Sequence, residues 1–70
     1  MIIFTDHALR RMRERKISKA QVSMVLEHPE SAESEEGNIK ILRKKFENRA
    51  LEIVIETGKN KIIVVTLYWL

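Results

Sequence analysis

The sequence predicts an α+β fold: an N-terminal helical hairpin packed on one face of a three- to four-stranded antiparallel meander sheet. Three observations predict it. Helix-start signals stand at Thr5 and Ser18, Pro29 closes the second helix, and three strand-like segments joined by short turns fill the C-terminal half. The order helix–helix–strand–strand–strand excludes repeated βαβ units and favours antiparallel pairing with the helices on one face. The 70 residues form one domain, 1–70. A domain this small buries only about 60% of its unfolded surface, so self-association is an expected source of extra stability.

The first helix is expected over about residues 6–16. Thr5 can serve as its N-cap, and Phe4 can meet Leu9 as a hydrophobic staple. The second is expected over about 19–28, where Ser18 and Gln21 form a Ser-x-x-Gln capping box and Ile17 can staple to Val22. Ala8, Leu9 and Met12 share one face of the first helix, and Val22, Val25 and Leu26 one face of the second. His28 precedes Pro29, and a residue in that place disfavours the helical region. Residues 30–38 are acidic and weakly patterned, ending in the turn pair Gly37-Asn38. Strands are expected over about 39–46, 50–56 and 61–69, separated by Glu47-Asn48-Arg49 and Thr57-Gly58-Lys59-Asn60.

Strand parity assigns the faces. Odd positions give Ile39, Ile41, Leu51, Ile53, Ile55, Ile63, Val65, Leu67 and Trp69, and are read as core. Even positions mix Leu42, Phe46, Val54, Ile62 and Val64 with Lys40, Lys44, Glu52, Thr66 and Tyr68. That face is too polar for core and too apolar for plain solvent, so it is where a site or a dimer contact is expected. One β-bulge would invert the parity beyond it.

Charge is segregated beneath a net +3. Residues 1–19 carry +4, residues 20–38 carry −5, residues 39–49 carry +4, and the remainder balances. Two basic blocks flanking an acidic connector suggest an anionic partner such as phosphate, against the plainer view of solvated surface charge. The absence of cysteine excludes disulfides, thiolate metal sites and cysteine nucleophiles, and suits a reducing compartment. The longest apolar run, Ile62–Val65, is far short of the roughly 20 residues a spanning helix needs. A cytoplasmic location, no membrane partner and no cofactor are therefore expected.

His7, Arg11 and Arg15 repeat at helical spacing and fall within about 80° of one another, beside the apolar seam. RNA cleavage needs a proton acceptor for the 2′-hydroxyl, a proton donor for the leaving oxygen, and cations for the developing charge. Histidine titrates near neutrality and serves either proton transfer, while arginine binds phosphate bidentately. The competing view makes His7 an ordinary surface residue of an arginine-rich helix. His28, at a helix C-terminus, reads as structural. No zinc site is expected, since the two histidines lie far apart without carboxylates at ligand spacing. On the second sheet face, Lys44 with Thr66 and Tyr68 would give a cation, a hydroxyl and an aromatic of the kind a nucleic-acid groove uses. The alternative makes the last strand's aromatics packing residues.

Together these residues resemble a known family. His7-Ala8, Arg11-Met12, Arg15 and Ile17-Ser18 match the His-Ala-x-x-Arg-Met-x-x-Arg-x-Ile-Ser signature of a small prokaryotic domain of unknown function. The similarity continues through Val22, Val25-Leu26 and Pro29 and returns at Val64–Tyr68. That family is similar to the RelE/ParE-like toxins, whose shared fold is two helices followed by a curved antiparallel sheet. The resemblance implies functional positions at His7, Arg11, Arg15, Thr66 and Tyr68. The C-terminal extension on which many such toxins place catalytic or substrate-contacting residues is not among these residues.

The expected function is thus a toxin-type domain that binds RNA or cleaves it without metal. His7, Arg11 and Tyr68 would be catalytic, and Arg15, Lys44 and Thr66 would hold nucleic acid. The alternative is a non-catalytic module that binds a protein or a second copy of itself. The partners in view are RNA, an antitoxin-like protein, or a homodimer mate.

Overall fold

The computed structural model describes residues 1–70. Its elements are β1 (Ile2–Phe4), α1 (Asp6–Arg15), α2 (Lys19–Glu27), β2 (Ser31–Glu35), a single 3₁₀ turn (Glu36–Asn38), β3 (Ile39–Phe46), β4 (Arg49–Gly58) and β5 (Lys61–Trp69). The strands form one five-stranded sheet in the order β1-β5-β4-β3-β2. The class is α+β, but the sheet is mixed: β1 pairs parallel to β5, and every other pairing is antiparallel. This corrects the expected three- to four-stranded antiparallel meander at both edges. β1 has only three residues, too few to show alternation, and β2 (Ser-Ala-Glu-Ser-Glu) is exposed throughout, so no apolar face marks it.

Both helix starts have specific chemistry. The Ala8 amide donates to Thr5 Oγ1 at 3.0 Å, so Thr5 caps α1. The Gln21 amide donates to Ser18 Oγ, and the Ser18 amide returns the bond to Gln21 Oε1, a reciprocal capping box for α2. α1 ends at Lys16, whose φ of 54° reverses the chain while its amide still reaches Met12.

The faces follow from the turns. In an antiparallel pair joined by a two-residue loop, an even residue on one strand meets an odd residue on the other. Phe46 pairs with Arg49 across Glu47-Asn48, so Leu42 stands beside Ile53 and Lys44 beside Leu51. On β3 it is therefore the even residues that face the helices. On β5 the same rule brings Ile62 and Val64 to the helix side, until a bulge between Val54 and Ile55 of β4 leaves Val65 without a partner. Beyond it the parity inverts, and Leu67 and Trp69 join the same side. The expected core positions Ile39, Ile41, Ile63 and Val65 accordingly stand half-buried outside the main cluster. That cluster is Ala8, Met12, Ile17, Val22 and Val25 from the helical hairpin, against Leu42, Leu51, Ile53, Ile55, Val64 and Leu67.

β1 covers only Ile62–Val64, and α1 takes over the rest of that edge of β5. Thr5 donates its amide to Val64 O, and its hydroxyl lies 3.2 and 3.1 Å from the carbonyls of Val64 and Val65 at the bulge. Ten residues on, Arg15 Nη1 donates to Leu67 O at 2.8 Å, while Trp69 Nε1 donates to Arg15 O at 2.9 Å. The helix is thus tied to the strand at both ends. Thr5→Val keeps the shape but removes the cap and the bulge contact together, and is expected to cost about 1–3 kcal/mol. Urea unfolding of the variant checks this; an unchanged midpoint would show that the Thr5 hydroxyl contributes nothing.

Candidate functional site

The sheet has one face under the helices and one open face. The registers place Arg43, Glu52 and Tyr68 side by side on the open face, with Thr66 two residues before Tyr68 on the same strand. Residues two apart on a strand share a face about 6.6 Å apart. α1 runs along the edge of β5, and this brings His7, in its first turn, over the edge to Thr66. His7 Nε2 lies 3.1 Å from Thr66 Oγ1. A row therefore crosses three strands and a helix: His7, Thr66, Tyr68, Glu52, Arg43.

Glu52 anchors that row. It is the one charged residue in the buried set, at 7% exposed, and both its oxygens accept hydrogen bonds, one from each side. Arg43 Nε donates to Oε1 at 2.9 Å and Arg43 Nη2 to the same oxygen, while the Tyr68 hydroxyl donates to Oε2. The Tyr68 hydrogen bond and then the Arg43 guanidinium hold the Glu52 carboxyl below its usual range, outweighing the opposing effect of burial. The same bond, with burial and the neighbouring negative charge, pushes the Tyr68 phenol above its ordinary value. Tyr68 is therefore kept neutral, a fixed donor with its ring on the open face.

The signs of the two linkages differ. Glu52 stabilises the fold above the ordinary carboxylate range near about pH 4.3, and that contribution is lost as pH falls through its lowered value. Tyr68 stabilises below about pH 10, and its contribution is lost as pH rises through its elevated value. Tyr68 is the sole tyrosine, so its ionisation can be followed alone by absorbance at 295 nm. The midpoint is expected above pH 10 and should fall back toward it in Glu52→Gln, with about 1–2 kcal/mol lost in unfolding at pH 7. A midpoint unmoved by the substitution would mean that Glu52 does not set the state of Tyr68.

The other candidates divide. Arg11, one turn after His7, is ion-paired to Glu14 at 2.6 Å and lowers that carboxyl. Arg15 spends one guanidinium nitrogen on the Leu67 carbonyl, which makes it a tie between helix and strand as well as a cation. Lys44 does not share a face with Thr66 and Tyr68: it lies on the helix side, where Nζ donates to His28 O at 3.1 Å. The cause is the odd–even pairing imposed by the two-residue turn. Arg43, its neighbour of opposite parity on β3, takes its place on the open face. Neither Arg43 nor Glu52 was singled out from sequence, although a carboxylate inside the apolar run Leu51–Ile55 was the available signal. No group of three or more His, Asp or Glu side chains is disposed to hold a metal ion.

A two-helix, five-stranded α+β domain with a histidine-to-arginine polar row on its uncovered face is the class these observations define. Over residues 4–69 the chain matches the family described as domain of unknown function DUF4258, and it belongs to that family. No curated protein and no solved structure matched it. No helix is long and apolar enough to cross a membrane.

Proposed function

We propose that this is a RelE-like toxin-type domain that binds RNA on its open sheet face and cleaves it without metal, with His7 as the proton-transfer group. The observation that carries this reading is the 3.1 Å approach of His7 to Thr66, on the face that also presents Tyr68. An exposed imidazole steadied by a hydroxyl, next to a phenol fixed by a buried carboxylate, suits a single-stranded substrate whose base stacks while its sugar meets the histidine.

In the proposed step His7 accepts the proton of the 2′-hydroxyl, whose oxygen attacks the adjacent phosphorus. The bond from phosphorus to the 5′ oxygen breaks, that oxygen takes a proton from water, and the imidazolium returns its own to the hydroxide so formed. The products are a 2′,3′-cyclic phosphate and a 5′-hydroxyl. Thr66 positions the imidazole and Tyr68 the base. Arg11 supplies charge to the phosphate if Glu14 gives it up. Lys44, on the other face, has no part in this step.

One observation favours the non-catalytic alternative, a protein-binding or self-associating module. Ile39, Ile41, Val54 and Ile63 stand half-buried on the same open face, and none belongs to the main core cluster. Salt dependence separates the two: RNA binding weakens steeply as salt rises, whereas apolar association does not. The deciding assay is cleavage of a mixed-sequence RNA in EDTA, with 5′-hydroxyl and cyclic-phosphate ends as the expected products. Intact RNA at micromolar protein, with salt-insensitive self-association, would transfer the case to the alternative.

A further inference from the structure

A second candidate surface lies on the opposite side of the sheet, where α2 meets the β3–β4 turn. Its floor is Met24, Phe46 and Trp69, with Gln21 beside them. Lys44 and Arg49 rise around it, with Glu47 as the carboxylate on the rim; Lys44 Nζ also donates to His28 O. Arg49 is stacked on Trp69, its guanidinium carbon 4.0 Å from the ring centroid, and Phe46 meets the same indole edge-on at 6.3 Å. The chain's two ion pairs are Arg11–Glu14 and Arg43–Glu52, so neither Lys44 nor Arg49 has a carboxylate partner. Gln21 gives its carbonyl to the Ser18 cap, which leaves its amide nitrogen free to donate.

We propose that this hollow is a second RNA subsite, taking the phosphates and one base of a single-stranded segment that flanks the His7 site. Two cations without a carboxylate partner beside an aromatic floor match a phosphodiester with a planar base, the arrangement that sequence-tolerant single-strand binding uses. An acidic amphipathic helix would instead need a longer apolar groove than three side chains provide. Connectivity supports a common path: Tyr68 and Trp69 are consecutive on β5 and face opposite sides of the same strand end. The inference rests on the RNA reading for its class of ligand, but not on cleavage.

Trp69 is the sole tryptophan, so its emission reports this hollow alone. Titration with hexauridylate is expected to change that emission saturably, and equally in the His7→Ala variant. Lys44→Gln with Arg49→Gln should weaken binding at least tenfold and flatten the log–log salt slope by about 1.4, the loss of two phosphate contacts to a single strand. Arg49→Gln alone, at an exposed position, should weaken it about threefold and guards against a misfolded double variant. No saturable change, or equal affinity in the substituted proteins, would overturn the proposal. So would hexaglutamate binding as tightly as the oligonucleotide, which would assign the hollow to an acidic protein segment. Emission changes that persist in a protein without nuclease activity would support this subsite and sink only the catalytic reading.

Discussion

His7→Ala is expected to lower cleavage of a mixed-sequence RNA in EDTA by about 10²–10⁴-fold, the range that one positioned proton-transfer group contributes. The fold should be little affected, because His7 is exposed and its one side-chain hydrogen bond is to the Thr66 hydroxyl. A surface substitution of that kind stays within about 0.5 kcal/mol. Chemistry and stability are thus separable at this residue, which makes it the sharpest test of the site. Thr66→Val should follow the same direction with a smaller loss, about tenfold, since it frees the imidazole to rotate without removing it. Arg11→Ala should weaken cleavage only as far as Arg11 can leave Glu14, so its salt dependence carries more information than its rate. Equal cleavage by wild type and His7→Ala would identify a contaminating nuclease and leave this site without chemistry.

The helical half of the fold was legible because its signals are local. Thr5, Ser18 and Gln21 act through hydrogen bonds to amides three residues away, and such bonds can be read from spacing alone. The sheet was legible only in part. Its three central strands carry alternation, but β1 is too short to show a period and β2 has no buried face. The facing of those strands turned on two features of different standing. The odd–even pairing across Glu47-Asn48 follows from loop length and could have been worked out, and it would have moved Leu42 and Lys44 to the helix side. The bulge at Val65 could not, because nothing local in Ile62–Leu67 marks the extra residue. That bulge lets Thr66 and Tyr68 face away from the helices although Val64 faces toward them. It also presents the carbonyls that Thr5 binds, and so sets where α1, and His7 on it, meets β5. The pairing of His7 with Thr66 is therefore a product of tertiary structure. Sequence supplied the residue types through a helical stripe and a family resemblance, but not their distance.

The face assignment can be tested by stability. Ile53→Ala is expected to cost about 3–4 kcal/mol, since Ile53 is fully buried at the centre of the middle strand and its removal leaves a cavity in the core cluster. A domain of this size is held by only about 4–10 kcal/mol, so this one change should remove a large part of the total. Leu42→Ala should cost about 2–3 kcal/mol and Ile41→Ala about 1 kcal/mol, although the two are neighbours of similar size. The contrast arises because Leu42 pairs with Ile53 on the helix side, while Ile41 pairs with Val54 on the open face. Urea unfolding of the three variants gives the order directly. Ile41→Ala costing more than Leu42→Ala would mean that β3 is turned the other way. Arg43 would then leave Glu52, Lys44 would return beside Tyr68, and the polar row would lose the partner that fixes its far end.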